Sequence, residues 1–487
     1  MMNILKNYQN NLAFLSGILL SLAFYFINPF NLGADAAKTV AIAILMIVWW
    51  VTEALPMPVV ALLPVILLPL LNLGTIEEVS KAYSNSVIFL FMGGFMIGLA
   101  IEKWKLHKRI ALHIVKRTGT SGDRIILGFI IATGFISMWL SNTATTMMMF
   151  PIALSVITVV RERESNSKNV ANFSLVMMLV IAYASNIGGM ATIIGTPPNV
   201  AFIGFIEKKY GYTVEFFDWM IICTPLAIVL LAMLYVVLCK CLYPNNIKSS
   251  STTNAYIGSE ISALGKLNSA EKRVLIIFSV TVLLWITKDL VNQLKLIRLD
   301  DNIIAIIGAL ALFATPSGIK KDEKSLKVLE WKDTSRMSWG ILLLFGGGIA
   351  LANSLDKVGV ISGIGSWLAG LSNVTPFVLV LLVVVISIFL SELMSNVAQV
   401  IVFAPVLVAL AEALNLDPLL LGIPMTLAAS AASMMPMGTP PNAIVFGSGL
   451  IKFKDMIKAG FVINIISIVL ITLFCWYLLP MVMSVVK

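Results

Sequence analysis

Charge is scarce in this chain. Only 12% of its 487 residues are Asp, Glu, Lys or Arg, about half the 25% usual in a soluble domain. Histidine and cysteine are few as well. His107 and His113 sit in a Lys/Arg-rich stretch without metal-ligand spacing. Cys223, Cys239, Cys241 and Cys475 lie in or beside apolar segments, which argues against a disulfide framework. Cys239-Lys240-Cys241 offers two thiols and no further ligand. No His, Cys or acidic cluster has catalytic spacing, so neither an enzyme nor an organic cofactor is expected. What fills the chain is apolar: 59% hydrophobic residues and a mean hydropathy of +0.95. That excludes a soluble enzyme, a disordered chain and a nucleic-acid reader. The formal charge of +9 marks cytoplasmic loops, as on membrane chains generally. The composition is that of an all-α integral membrane protein.

A spanning helix needs about 20 mostly apolar residues. Candidate spans lie at 12–28, 39–55, 57–73, 86–103, 172–194, 218–242, 273–291, 302–315, 338–353, 417–437 and 459–484. The stretches 123–160 and 377–412 are also apolar, but Ser-Asn cuts each near its middle. Segments 104–118 and 355–372 alternate polar and apolar residues at helical spacing and read as amphipathic helices along the interface. The first apolar run is too long for a cleavable signal peptide and lacks a small-residue cleavage site.

An internal repeat organises these spans. Gly93-Gly94, Ser137 and Ser141-Asn142-Thr143 return as Gly347-Gly348, Ser391 and Ser395-Asn396-Val397, all 254 residues later. Gly195-Thr196-Pro197-Pro198-Asn199 returns as Gly438-Thr439-Pro440-Pro441-Asn442, 243 residues later. The polar stretch 161–172 in the first half accounts for most of that difference. Each unit, 39–242 and 273–484, holds five crossings, and an odd number forces the second copy to enter from the opposite face. The repeats are therefore expected to be inverted. With the N-terminus in the cytoplasm, 25 of the 34 Lys and Arg fall on cytoplasmic loops and ends, the positive-inside pattern. The C-terminus is then outside.

In hydrocarbon, a broken helix survives only where it is buried or lines a cavity. Ser141 and Ser395 are good N-caps, and the free N–H groups of a half-helix N-terminus attract anions. Asn142 and Asn396 add amide donors. Two such tips from inverted halves can hold both ends of a dianion; the bland alternative is Ser, Thr and Asn gluing helices together. The Pro-Pro breaks leave carbonyls unpaired, an oxygen-rich setting for Na⁺. Ser137 with Ser141, and Ser391 with Ser395, lie four apart on an expected common helical face. Two hydroxyls, an Asn oxygen and a carbonyl near Gly195 or Gly438 then make one cation site per half; a kink without a ligand is the plain alternative. No Lys or Arg lies in either tip or break, so a bound dianion needs co-bound cations or obligatory exchange. Glu53 and Glu392 are the few intramembrane acids, each either a proton relay or a helix-end structural group.

On these residues, together with Trp49-Trp50-Val51-Thr52-Glu53-Ala54, Ile88–Phe95 and Ser141–Thr146, the sequence resembles the divalent anion/sodium symporter family, the INDY-type dicarboxylate and citrate carriers. The resemblance covers nearly the whole chain. It implies about 11 transmembrane helices plus two re-entrant hairpins, a homodimer, and an elevator-type transport domain moving against a scaffold. Scaffold helices would occupy 1–122 and 218–376, with cytoplasmic loops 244–272 and 316–337. The transport domain would occupy 123–217 and 377–487. The resemblance implies substrate contacts from Ser141, Asn142, Thr143, Thr196, Ser395, Asn396, Val397, Thr439 and Pro440. It implies one sodium site at Ser137, Ser141, Asn142 and Gly195, and a second at Ser391, Met394, Asn396 and Gly438. Val397 replaces a Thr frequent at the second tip, and Met394 and Gln399 replace smaller or hydroxylated residues.

The expected function is secondary transport of C4–C5 dicarboxylates across the cell membrane by Na⁺ symport, without nucleic-acid partners. Na⁺-independent dicarboxylate exchange is the alternative, with an anion channel behind it.

Overall fold

A computed structural model of the chain describes residues 2–162, 164, 166–249, 251–295, 297–321, 324–361, 363 and 374–485. Its helices in chain order are α1 (Met2–Ile27), α2 (Ala34–Thr52), α3 (Met57–Val60), α4 (Leu63–Leu70), α5 (Ile76–Ser80), α6 (Ser86–Lys103) and α7 (Leu106–Thr118). Next come α8 (Gly122–Ser137), α9 (Asn142–Arg161), α10 (Ser167–Met190), α11 (Pro197–Tyr210), α12 (Phe216–Tyr235), α13 (Ser251–Ala263), α14 (Ser269–Gln293) and α15 (Asp301–Ala314). The remainder are α16 (Trp339–Lys357), α17 (Pro376–Ser391), α18 (Asn396–Ala413), α19 (Pro418–Ser430), α20 (Pro440–Phe446) and α21 (Phe453–Val482). Among the described residues, nine helical stretches are long and apolar enough to cross a membrane.

Three expectations needed correction. The span at 57–73 is two short helices, because Pro64 has no N–H for the Val60 carbonyl and its ring crowds that turn. The span at 417–437 stops at Ser430, ahead of Pro436 and the Pro440-Pro441 pair. The chain is also not helical throughout: Pro316–Lys321 (β1) pairs antiparallel with Lys324–Lys327 (β2) in a polar loop. The amphipathic segment at 104–118 is α7, whereas most of 355–372 lies outside the described residues.

The duplication is visible helix by helix. α8 and α17 start and end 254 residues apart, and α9 and α18 start 254 apart. In each half a central helix, α10 or α19, is covered on nearly every side. Every residue from Phe173 to Met190 is buried, as is nearly all of α19; a helix apolar all round belongs in an interior. α8 and α9 pack on α10, and α17 and α18 pack on α19. The short arms then cross over: α11 packs on α18 and α19, and α20 on α9 and α10. This exchange brings the two Gly-Thr-Pro-Pro-Asn motifs to the seam between the halves.

A second group surrounds that body. α6 packs on α15, and α16 packs on α2, α3 and α4. The repeated glycines serve these contacts: a Cβ at Gly93 would overlap the Ala305 backbone, and one at Gly347 the Ala61 backbone. α7 is tied to α14 by Arg109, which is 3.1 Å from Glu271 and also donates to the carbonyls of Leu264 and Gly265. Its neighbours His107 and His113 bond backbone carbonyls of Ile101 and Arg109, and burial pushes the His107 pKa down. Leu275, Ile276, Val280, Leu283 and Leu290 form an exposed apolar face on α14, as suits a lipid-facing helix.

Candidate functional site

The two Ser-Asn corners are built alike. α8 ends at Ser137 and α9 begins at Asn142; the buried Ser137 hydroxyl donates to Asn142 Oδ1 at 2.9 Å. Ser137 thereby fixes Asn142 with the oxygen inward and the NH₂ outward. In the second half the Ser391 hydroxyl lies 2.7 Å from Asn396 Oδ1 and also within bonding distance of the Ala429 carbonyl, with one hydrogen between the two. Asn142 Nδ2 reaches Thr196 Oγ1 at 3.4 Å, while Asn396 Nδ2 has no protein partner among the described residues. Space for the first amide comes from Gly189, where a Cβ would overlap Asn142 Oδ1.

This geometry overturns the reading of Ser137/Ser141 and Ser391/Ser395 as pairs on one helical face. The helices end at Ser137 and Ser391, so Ser141 and Ser395 are N-caps of the following helices. Ser141 accepts the Ala144 N–H at 3.3 Å, as a cap should. Ser395 makes no side-chain cap bond.

The breaks are held by their own motif. Asn199 Nδ2 donates to the carbonyls of Thr192, at 2.9 Å, and Gly189, at 3.4 Å. Asn442 Nδ2 does the same for Met435, at 3.1 Å, and Ala432, at 3.5 Å. These carbonyls lie at or beyond the end of the central helix, and the amide adds a donor to each. Sequence reading identified the motif but not this clamp, because the bonded partners lie in the irregular run before it. Gly195 N–H donates to Thr192 Oγ1 at 3.1 Å, and the Thr192 hydroxyl bonds the Met138 carbonyl, so the first break is tied to the first corner.

The second break is tied differently. Glu392, 3% exposed, accepts the N–H groups of Ser433, Met434 and Met435, each at 2.8 Å, and Asn464 Nδ2 at 2.7 Å. Three successive amides and a carboxamide satisfy this carboxylate. Its oxygen also flanks Gly438. Glu392 is a structural tie between the corner, the break and α21. Gln399 likewise points away from the corner, donating to Ser387 Oγ at 2.6 Å.

A cavity of about 690 Å³ joins both corners and both breaks. Ser141, Asn142 and Thr143 line it from one half, and Met394, Ser395, Asn396 and Val397 from the other. Thr196, Gly438, Thr439 and Pro440 complete the polar wall, with Glu53 at the rim of α2. Glu53 takes a left-handed backbone, φ 51°, as it ends that helix. Among the described residues, no Lys, Arg or His lines the cavity. Ser137, Ser391 and Gly195 lie behind this wall, not on it. Asn186, which sequence reading passed over as part of an apolar span, lines it as well. A second cavity of about 510 Å³ shares Ser141, Thr143 and Ser338 with the first and reaches the Arg336–Glu102 ion pair.

Residues 9–484 match the family model described as "Sodium:sulfate symporter transmembrane region". The chain is 39% identical over 490 residues to a protein named sodium-dependent dicarboxylate transporter SdcS of Staphylococcus saprophyticus, covering 99% of this chain and 94% of that one. The Staphylococcus aureus protein of the same name is 38% identical over 476 residues, covering 97% and 91%. Among solved structures, the Alcanivorax borkumensis YdaH transporter superposes with a TM-score of 0.53 at 11% identity, covering 84% of this chain and 88% of that one. Neisseria gonorrhoeae MtrF follows at 0.50 and 13%, covering 82% and 83%. At such identities the likeness concerns fold alone. The chain belongs to the divalent anion:Na⁺ symporter family of multi-pass membrane transporters.

Proposed function

We infer that this protein is a Na⁺-coupled carrier of C4–C5 dicarboxylates in the cell membrane. The observation that carries this reading is a cavity lined by both Ser-Asn corners, with no cationic side chain among the described residues that line it. Its volume falls within the roughly 300–1,000 Å³ of small-molecule sites. Donors contributed by both halves suit a molecule with an anionic group at each end. Asn142, Thr143 and Thr196 would meet one carboxylate, and Ser395, Asn396, Thr439 and the Pro440 backbone the other. Val397 supplies apolar contact where Thr143 supplies a hydroxyl.

Two negative charges in a low-dielectric site without a fixed cation need mobile ones. Ser137, Ser141, Asn142 and Gly195 offer oxygens for one Na⁺, and Ser391, Asn396 and Gly438 for a second. The names of the staphylococcal relatives support Na⁺ coupling. Met394, a thioether at the second corner, favours a second reading: exchange without Na⁺. Movement would be of elevator type, with the corners as tips of re-entrant hairpins in inverted repeats. The body at 123–217 and 377–487 would slide, in a homodimer, against helices of 1–122 and 218–376. Within 218–376 α12 is the exception: it packs on α10 and α21 and would move with the transport body. The N-terminus would be cytoplasmic and the C-terminus outside.

Proteoliposome uptake of labelled succinate decides between these readings. An imposed Na⁺ gradient should drive accumulation without internal dicarboxylate. Uptake that ignores Na⁺ and requires internal malate would establish exchange instead.

A further inference from the structure

The two Gly-Thr-Pro-Pro-Asn motifs are alike in their clamps but not in what stands behind their threonines. Asn186 belongs to α10 of the first half, yet its Nδ2 donates to Thr439 Oγ1 of the second half at 3.1 Å. The same NH₂ lies 3.5 Å from Asn442 Oδ1. Asn186 is 2% exposed and Thr439 3%. The repeat shift of 243 places Ala429 where the counterpart of Asn186 would stand. A methyl group donates nothing, and Asn199 Oδ1, the counterpart of Asn442 Oδ1, is buried without a partner.

The direction of these bonds follows from the network. Asn442 must turn its NH₂ toward the carbonyls of Met435 and Ala432, so its oxygen faces Asn186. Asn186 must then present NH₂ to that oxygen and to Thr439. Thr439 Oγ1 also accepts the Asn442 backbone N–H at 3.4 Å. With two donors on its oxygen, the Thr439 hydroxyl has its own hydrogen left to give. It gives that hydrogen to no protein group among the described residues, and it lines the cavity.

We propose that Asn186 is a positioning residue that commits the Thr439 hydroxyl as a hydrogen-bond donor to one end of the bound dianion, across the seam between the halves. This rests on the dianion site proposed above. Thr196, its counterpart, is held by Asn142 at 3.4 Å from within its own half and has no such brace. The two ends of the cavity are therefore unequal, and the end at Thr439 responds to α10.

The test is a double-mutant cycle on ligand affinity, read by the thermal shift of purified protein with succinate, malate, citrate and sulfate in Na⁺. Asn186→Leu and Thr439→Val should each weaken succinate binding about tenfold, the scale of one hydrogen bond to a charged group. Their combination should be no weaker than either alone, because Asn186 acts through Thr439. Asn186→Ser, which keeps a donor, should recover most of the affinity. Losses that multiply to about a hundredfold, or an Asn186→Leu variant that binds normally, would overturn the proposal. If sulfate alone stabilises the wild type, the dicarboxylate reading fails and the same cycle is read with sulfate. If none of the four stabilises it, both readings fall.

Discussion

At the residue scale, the proposed function rests on neutral amides. Asn142 and Asn396 are each held by a serine five residues earlier, and both line the cavity. Asn142→Ala and Asn396→Ala should each weaken succinate uptake about tenfold to a hundredfold, the equivalent of about 1.5–3 kcal/mol for a hydrogen bond to a charged group. Asn396 should be the more sensitive, since its NH₂ has no competing partner while that of Asn142 is shared with Thr196. Uptake kinetics on both variants check this; equal, wild-type KM values would contradict it. Glu392 is a different case. Removing its carboxylate strands three N–H groups and the Asn464 amide. Glu392→Ala should therefore cost about 3 kcal/mol or more of stability, seen as a lower melting temperature in detergent. An unchanged melting point would refute its structural role. The corner asparagines were legible because they repeat in register. Asn186 was not, because its partner lies 253 residues away and a lone Asn in an apolar helix carries no local sign of it. The serine pairing was misread because four-residue spacing resembles a helical face even where the helix has ended.

At the scale of elements, each break works through a central helix that gives up its last turn. α10 stops at Met190 and α19 at Ser430, and the arms that follow pack in the opposite half. The corner needs room against α10, which Gly189 provides. Gly189→Ala should displace Asn142 and abolish uptake. Gly258→Ala on α13, where an added methyl meets nothing within 4 Å, should leave uptake unchanged. Comparing the two variants at matched expression tests the packing, and normal uptake by Gly189→Ala would contradict it. Most helices were readable from apolar length and from the Ser-Asn interruptions. The α3/α4 break was signalled by Pro64 but hidden by the hydrophobicity around it. The β1–β2 ladder escaped because its lysine-rich strands have no apolar alternation.

At the scale of the whole molecule, the repeat and its crossed arms bring both halves to one cavity, and the basic loops give the expected orientation. The larger cavity connects past Ser338 toward Arg336 and Glu102, on the side the charge distribution assigns to the cytoplasm. Cys241, near the end of the helical segment Val236–Leu242 that continues α12, is exposed, whereas Cys223, Cys239 and Cys475 are buried. A membrane-impermeant maleimide should label Cys241 in inside-out vesicles and not in right-side-out ones. The opposite labelling would invert the map. The repeat was legible because three motifs keep one shift; the arm exchange was not, since spacing says nothing about which half an arm packs against.

Charge balance joins the three scales: among the described residues no lysine or arginine lines the cavity, so under the proposed symport a dianion there would share its site with cations. Equilibrium succinate affinity of the purified protein, titrated with NaCl against choline chloride at constant ionic strength, measures this directly. The dissociation constant should fall steeply as Na⁺ replaces choline, because binding free energies are reciprocally linked. A dissociation constant that stays the same across the titration would contradict the account.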